Sequence, residues 1–368
     1  MHFSYLFTTT LVLVFLSNTT RGEPQVFTDE TTPYVQELVG FWTKVYGELS
    51  SRQGVIHDGV YGSVVYETLV LPERKAEQRA LIRKKKEKWR AVLLSVHKKQ
   101  NTKSELTADE AYVENLFAGN TDPCRFVEAA TRRRIRFQLG QSDVFRNALI
   151  SSGRYLPAME KIFHEEEVPV EITRLPFVES GFNLRARSKV GASGIWQFIR
   201  GTGRDYLRID HVMDERNDPL QATRAAARLL KANYEQLGSW ALAVIAYNHG
   251  RKSIMRAVRL SEVEDFASLL QNFKGARFGF ASRNFFPSLL AAIAVEGAAD
   301  RYFGPVVRDK PISFEEVRTD RTRSIRSFRN RYGKAAYRMF VDLNPALQPE
   351  VFEDRVRIPK GTVLRVPR

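Results

Sequence analysis

Apolar and polar residues alternate at helical spacing over several parts of this chain. The run from Pro72 to Lys103 consists of strong helix formers with its apolar positions on one side, which predicts an amphipathic helix. A second helix-rich stretch extends from about Ala108 to Ile150. Between Glu23 and Leu71, glycines separate aromatic and β-branched residues, which favours a short helix followed by turns and extended structure.

The segment after Ser151 predicts a helix that carries an acid beside its apolar side. Pro169 can open this helix, because a missing N–H costs nothing in the first turn. The apolar side comprises Ile172, Leu175, Val178 and Phe182. Pro176 removes one internal hydrogen bond and predicts a kink just before Glu179.

Two helices with clear end signals follow. Asp218 and the proline after it predict the start of a helix over Leu220–Leu237, and Gly238 predicts its end. Ser239 is a suitable cap for the next helix, Trp240–Asn248, whose interior is apolar. The predicted fold class is therefore mainly α.

The first 22 residues have the layout of a secretory signal peptide. An apolar stretch from Tyr5 to Leu16 precedes a short polar segment that ends at Gly22. About a dozen apolar residues are short for a hydrocarbon core of roughly 30 Å, so export is favoured over an uncleaved anchor. We expect a periplasmic or secreted protein.

The strong positive charge indicates an acidic partner. The 368 residues carry a formal net charge of +15, which attracts nucleic acid, anionic lipid or an anionic cell-wall glycan. Export and the lack of a recognition motif argue against nucleic acid. The basic side of the helix over Pro72–Lys103 is either a solvated helix face or a patch that makes weak contact with the membrane surface or the wall; both interpretations stay open.

Three short blocks carry the candidate chemistry: LPFVESGFN, GASGIWQF and AYNHG, all between Leu175 and Gly250. They place Glu179 beside an apolar wall, and they supply Trp196 and Gln197 as a stacking surface and an amide of the kind that binds sugars. Each block alone also fits a surface carboxylate, a tight turn or a core aromatic residue. No phosphate loop, metal-ligand cluster or nucleophile elbow is found, so we expect no cofactor and no metal.

Taken together and in this order, the blocks resemble the catalytic domain of goose-lysozyme-like lytic transglycosylases (the transglycosylase SLT domain), closest to the membrane-bound murein transglycosylase D group. The resemblance covers roughly Glu166 to Val295 and implies a lysozyme-like α-helical fold. It implies that Glu179 is the general acid and base. The family positions that bind substrate or position the acid correspond here to Ser188, Gln197, Tyr247 and Asn248.

The resemblance also implies a reaction. A lytic transglycosylase, a glycosidic-bond lyase, cleaves the β-1,4 bond between N-acetylmuramic acid and N-acetylglucosamine in peptidoglycan glycan strands and forms 1,6-anhydro-muramic acid. One carboxylate suffices, whereas glycoside hydrolysis usually needs two. Two alternatives remain: a lysozyme-type hydrolase, and a non-catalytic peptidoglycan-binding or wall-organising protein. For the hydrolase, the nearby acids that could activate water are Asp205, Asp210, Asp214 and Asp218.

Two positions depart from the family pattern. Many relatives carry a Glu-Thr-x-x-Tyr block on a later helix, where this chain has Ala281 to Phe286 and lacks both the carboxylate and the phenol. This departure puts one substrate contact in doubt. His249 replaces a small residue, and we expect it to be a solvated loop histidine.

The expected organisation is a signal peptide (1–22), an α-rich N-terminal extension (23–150), a lysozyme-like catalytic domain (151–300) and a C-terminal extension (301–368). The last segment contains Leu343-Asn344-Pro345 and a stretch from Ile358 to Leu364 that resemble the tail of a lysin-motif module or its remnant. A solvated extended tail is the alternative, because half of such a module would bury little core.

Overall fold

The structure is a computed structural model that describes Phe27 and residues 32–100, 102, 104–261, 266, 269–270, 273, 275 and 278–368. The expected signal peptide lies outside the described residues. Within them, no helix combines the length and the apolar character needed to cross a bilayer.

Helices dominate, which confirms the mainly α prediction. The N-terminal part contains α1 (Pro33–Gly47), β1 (Gln53–Asp58), β2 (Val65–Val70), α2 (Lys75–Lys99), α3 (Ala108–Leu116), α4 (Arg125–Ala129), β3 (Ile135–Leu139) and α5 (Ser142–Ser152). The central part contains α6 (Leu156–Glu165), a 3₁₀ turn (Val170–Arg174), α7 (Leu175–Glu179), α8 (Arg200–Arg204), a 3₁₀ turn (Glu215–Asn217), α9 (Pro219–Leu237), α10 (Trp240–His249), α11 (Arg251–Ser261), α12 (Phe280–Gly297) and α13 (Ala299–Phe303). The C-terminal part contains β4 (Glu315–Arg318), α14 (Ile325–Leu343), α15 (Pro349–Phe352) and β5 (Val363–Val366).

A small antiparallel sheet in the order β2-β1-β3 forms the base of the N-terminal part. The predicted basic helix is confirmed as α2, which buries Trp89, Leu93 and Val96 in the core beside this sheet. The stretch Ala108–Ile150 is helix-rich as predicted, but it also contains β3, where apolar Ile135 and Phe137 alternate with polar residues at the period of a strand.

The N-terminal helix α1 belongs to the central core. It packs along α12, and the buried indole of Trp42 donates a hydrogen bond of 2.8 Å to Asn284 Oδ1. Val45 and Tyr46 of α1 are buried in the same hydrophobic cluster as α7, α9 and α10. The central core therefore extends across residue 150, where the sequence suggested a boundary; the domain limits stay predictions.

The ends of α9 and α10 lie where local signals predicted them. Asp218 caps α9 by accepting hydrogen bonds of 2.9 Å from the N–H groups of its first turn. Gly238 ends α9 with a φ of 69°, a left-handed conformation that glycine adopts without strain. Ser239 then caps α10 through the N–H of Leu242, at 3.2 Å.

The expected single helix after Pro169 is instead two short segments. The chain forms the 3₁₀ turn Val170–Arg174 and then restarts as α7, with Pro176 in the first turn of the new helix. Because proline has no N–H to donate, it removes one hydrogen bond to the preceding turn, and the chain changes there from the 3₁₀ turn to α7.

The C-terminal part folds as a strand, two helices and a strand, and β4 pairs with β5. This unit has its own core, so the solvated-tail alternative is wrong. It joins the central part through the loop before α9, where Asp214 N–H donates to Ala346 O at 2.7 Å. Buried Arg365 also forms an ion pair of 2.6 Å with Asp218.

We predict that Trp42→Phe weakens the attachment of α1 to α12. The substitution leaves buried Asn284 Oδ1 without its donor, which should lower the free energy of unfolding by about 1–3 kcal/mol. Denaturant unfolding measures this change. Tyr112→Phe, which removes an exposed hydrogen bond to Val65 O, should change stability by less than about 0.5 kcal/mol; equal effects of the two variants would contradict the prediction.

Candidate functional site

Glu179 is the last residue of α7, and aromatic packing fixes the helix beneath it. Phe177 is buried and stacks on Phe145 of α5 with ring centroids 4.8 Å apart. On its other side Phe177 meets Phe182 edge to face at 4.6 Å. Because Phe177, two residues before Glu179, is packed between these rings, the short helix that carries the acid is held against the core.

The chain reverses direction immediately after the acid. Gly181 and Phe182 both have positive φ, 58° and 54°, and the Phe182 N–H closes the turn on Pro176 O at 3.2 Å. A left-handed phenylalanine is strained, and the burial of its ring offsets that cost. The turn leaves Glu179 at an edge of the core.

The Glu179 carboxyl group is half-buried and closely surrounded by protein. Burial disfavours its charged form and raises its pKa to about 8. A carboxyl group with such a pKa is protonated at neutral pH and can act as a general acid.

The loop 186–198 connects Glu179 with α10. The hydroxyl of Ser180, next to the acid, donates to Ile195 O in this loop at 2.9 Å. From the other side, the Tyr247 hydroxyl donates to Trp196 O at 2.7 Å. Hydrogen bonds to two successive carbonyls therefore hold the acid, the loop and Tyr247 in one arrangement.

Ser188 and Gln197 lie together in this loop, and both are half-buried. The Ser188 hydroxyl oxygen accepts a hydrogen bond of 3.0 Å from Ala192 N–H, which leaves its own proton to donate. The Gln197 amide donates to Gly194 O and Ala186 O, at 2.8 and 3.2 Å. Its nitrogen thus holds the loop closed.

Trp196 does not offer the sugar-stacking surface that the sequence suggested. Its side chain is fully buried, stacks on Phe163 at 5.6 Å and donates its indole N–H to Thr223 at 2.8 Å. The aromatic ring belongs to the core and meets the Tyr247 ring edge to face at 6.3 Å, while the backbone carbonyl of Trp196 accepts a hydrogen bond from the Tyr247 hydroxyl.

Tyr247 and Asn248 occupy the C-terminal end of α10. Burial raises the pKa of the Tyr247 phenol well above its ordinary value, and the nearby Glu179 carboxylate raises it further. Tyr247 therefore remains a neutral donor. Asn248 is exposed and follows Tyr247 directly. The structure places Ser188 and Gln197 in one loop, to which Ser180 and Tyr247 are hydrogen-bonded.

A buried ion pair that sequence reasoning missed anchors the loop. Arg216 binds Asp214 with both ends of its guanidinium, at 2.9 and 2.6 Å. Its remaining nitrogen donates to Gly191 O and Phe198 O, at 2.9 and 3.1 Å. Gly194 fits against the Arg216 carbonyl so closely that a Cβ would stand 1.8 Å from the oxygen.

Most acids considered for water activation have structural contacts. Asp214 pairs with Arg216, and Asp218 caps α9 and pairs with Arg365. Asp210 accepts hydrogen bonds from Val212 and Met213 N–H and from Arg208. Asp205 is exposed. Because these contacts engage the carboxylate oxygens of Asp210, Asp214 and Asp218, these three residues are poorly suited to act as a base.

A second residue missed by sequence reasoning is Tyr46 of α1. Burial raises the pKa of its phenol, a hydrogen bond with Ser288 lowers it, and the nearby Glu179 carboxylate raises it again. Tyr46 also stacks on Phe145, the ring that supports α7, at 5.4 Å. Contact between α1 and α7 depends on tertiary packing, so no local pattern could have identified it.

His249 is not the solvated histidine that was expected. It is half-buried, meets Phe278 edge to face at 5.4 Å and forms a hydrogen bond of 2.9 Å with Ser282 Oγ. Ser282 belongs to the segment that departs from the family block. The two departures therefore contact each other across α10 and α12.

Comparison with known proteins supports the resemblance. Residues 159–269 match the family model for the transglycosylase SLT domain. This range contains Glu179, Ser188, Gln197, Tyr247 and Asn248, and it ends before the departing segment on α12. A membrane-bound lytic murein transglycosylase D from Escherichia coli K12 is 37% identical over 111 residues, which are 28% of this chain and 25% of that protein.

Two further proteins are similar over parts of their length. A protein of Alteromonas sp. (strain M-1) with the provisional name tributyltin chloride resistance protein is 32% identical over 114 residues, 30% of this chain and 55% of that protein. The structure of an inactive mutant of the lytic transglycosylase Slt from Pseudomonas aeruginosa matches with a TM-score of 0.36 and 18% identity, covering 55% of this chain and 32% of that one. The chain spans about a quarter of the transglycosylase D and about half of the Alteromonas protein.

We predict that Gly194→Ala disrupts the loop. The added methyl group would collide with Arg216 O at a positive φ of 76°, and the cost should be about 3 kcal/mol or more. Gly191→Ala is the matched control, because it has a similar φ of 81° and no atom within 4 Å, so strain of about 1 kcal/mol is expected. Denaturant unfolding of the two variants measures their losses of stability. Similar losses would refute the interpretation that Gly194 is required by its close contact with Arg216.

We predict that Glu179→Gln stabilises the protein at neutral but not at acid pH. The folded-state pKa of Glu179 is raised to about 8, so the folded state binds more protons than the unfolded state, and stability falls as pH rises from roughly 4.5 toward 8. Glutamine removes this loss, and the gain should be on the order of 4 kcal/mol at pH 7.5 and absent at pH 4.

Unfolding curves of both proteins at the two pH values measure this difference. The exposed Glu114→Gln on α3 serves as the control and should show no such pH dependence. A Glu179→Gln stability difference that stays constant from pH 4 to pH 7.5 would show that folding does not raise the pKa of the carboxyl group.

Proposed function

We propose that this protein is a peptidoglycan lytic transglycosylase that cleaves the β-1,4 bond between N-acetylmuramic acid and N-acetylglucosamine and forms 1,6-anhydro-muramic acid. The observation that carries the proposal is the burial of Glu179, with its raised pKa, inside a match to the SLT domain. The relative from Escherichia coli is named as a lytic murein transglycosylase.

In the proposed reaction Glu179 acts twice. As a neutral acid it gives its proton to the glycosidic oxygen, and the bond between that oxygen and muramyl C1 breaks. The resulting carboxylate then accepts the proton of the muramyl C6 hydroxyl as that oxygen attacks C1. One group therefore completes the cycle, and it returns to its protonated form.

We assign roles in this reaction to the four other site residues. Ser188 keeps a hydroxyl proton that can bind a substrate oxygen, and exposed Asn248 offers an amide at the end of α10. Gln197 and Tyr247 direct donors to backbone carbonyls, so we assign them to holding the loop and the acid in position. Gln197 retains a carbonyl oxygen for substrate.

Hydrolysis is the competing reaction. It would need a second carboxylate to activate water, and three of the four candidates are engaged in ion pairs or in capping a helix or turn. Attack by the substrate's own C6 hydroxyl needs no such group, which favours the anhydro product.

We propose that the enzyme acts in the cell envelope, periplasmic or secreted, on glycan strands. The strand-helix-helix-strand unit at the C-terminus supports this location, because its sequence resembles part of a lysin motif, a wall-binding module. Its ion pair with Asp218 would couple wall binding to the catalytic part.

The test is digestion of purified peptidoglycan by the mature protein and by Glu179→Gln. We expect anhydro-muramyl fragments from the wild type, identified by mass spectrometry, and a loss of rate of at least about a thousandfold in the variant, because the amide has no proton to give. The rate should fall as pH rises through the raised pKa, since the acid form is then depleted.

Reducing-end products would identify a hydrolase and overturn the proposed reaction. Release of no product by a folded wild-type protein that sediments with peptidoglycan would identify a wall-binding protein. Unfolding curves of both proteins ensure that any loss is chemical.

A further inference from the structure

A basic groove lies in the N-terminal part, away from the residues assigned to catalysis. It is a concavity of about 340 Å³ between α2 and the turn that leads into β3. Ile82 and Ile135 give it an apolar lining. Its cationic side chains are Arg79, Arg83, Lys86, Arg90 and Arg132.

The positive charge of the groove is poorly compensated. Glu87 is the acid that lines it, and it lies 3.8 Å from Arg90. Within the described part of the chain, no carboxylate lies within 4.0 Å of the other four cations. Burial lowers the pKa of Lys86 and the nearby Arg136 guanidinium lowers it further, while Glu87 offsets only part of this shift. An anion in the groove would relieve this repulsion.

The spacing of the cations fits a short extended chain. Four of the five follow one another on α2 at positions 79, 83, 86 and 90, which is one face of the helix. At 1.5 Å per residue they extend over about 16 Å, the span of an extended peptide of about five residues. Arg132 stands on the opposite wall.

A membrane surface fits these features less well. The large apolar residues of α2, Trp89, Leu93 and Val96, are buried in the core and cannot enter a bilayer. The cations line a concave groove, whereas a flat bilayer is contacted by a convex or flat face. Arginine, which predominates here, binds carboxylates through paired hydrogen bonds.

We propose that this groove binds the acidic peptide stem of peptidoglycan. The stem is a short peptide with several free carboxylates and small apolar side chains, and it matches the groove in charge, length and apolar lining. The proposal rests on the proposed function, because it takes the substrate to be peptidoglycan. The groove would then hold the cross-linking peptide while the residues around Glu179 hold the glycan.

The experiment measures binding without turnover. Stem peptides released from purified peptidoglycan by an amidase are titrated into the full-length Glu179→Gln protein and into the same protein with Arg79→Gln and Arg83→Gln added. We expect binding that weakens with salt, and an approximately fivefold or greater loss of affinity in the double variant, since two charge contacts are removed.

The matched control is Lys84→Gln with Lys98→Gln, which removes the same charge from positions of α2 outside the groove. This pair should bind as tightly as the parent. Phosphatidylglycerol vesicles and peptide-free glycan strands are tested in parallel. The two double variants should bind each of these ligands with the same affinity.

Equal losses of peptide affinity in the two double variants would show that general charge attraction, and not the groove, binds the peptide. This result would overturn the proposal. Loss of vesicle binding in the groove variant but not in the control variant would overturn the proposal in favour of a membrane contact. Absence of binding between the stem peptide and the parent protein would overturn it as well. These outcomes are independent of the catalytic proposal, because anhydro-muramyl products from the wild-type protein would still stand.

Discussion

The burial of one carboxyl group is the constraint on which the central part of this protein depends. Removing Glu179 from water costs free energy, and the fold must hold the group in place against that cost. The stacked rings beneath α7, the strained turn after it and the hydrogen bond from Ser180 to Ile195 supply this rigidity. Such interactions pre-organise an acid and reduce the freedom of the loop to relax around it.

The N-terminal part contributes to this rigidity rather than being a separate appendage. Helix α1 lies along α12, and Tyr46 brings a buried phenol close to Glu179. Neutral phenols on two sides, Tyr46 and Tyr247, add polar groups without adding charge. A cation in either place would lower the pKa of the acid, so the choice of tyrosine preserves the protonated form.

Local chemistry determined which features could be predicted from the sequence. The caps of α9 and α10 were correct because Asp218, Gly238 and Ser239 act within one turn of their own helix. The prediction of one continuous helix before Glu179 was wrong because the apolar periodicity continues across Pro176, whereas the helix begins anew with this proline in its first turn. Long-range facts, such as the burial of Trp196 and the approach of Tyr46, depend on packing between distant elements and leave no local signal.

The two departures from the family pattern, at Ala281 to Phe286 and at His249, contact each other. Where relatives carry a Glu-Thr pair on α12, this chain places Ala281 and Ser282, and Ser282 binds His249. This hydrogen bond joins the C-terminal end of α10, which carries Tyr247, to the first turn of α12. The exchange leaves Glu179 as the acid on which the proposed chemistry depends. Because α12 offers neither a carboxylate nor a phenol at these positions, the proposed reaction relies on Glu179 and on the residues of the loop 186–198 and of α10.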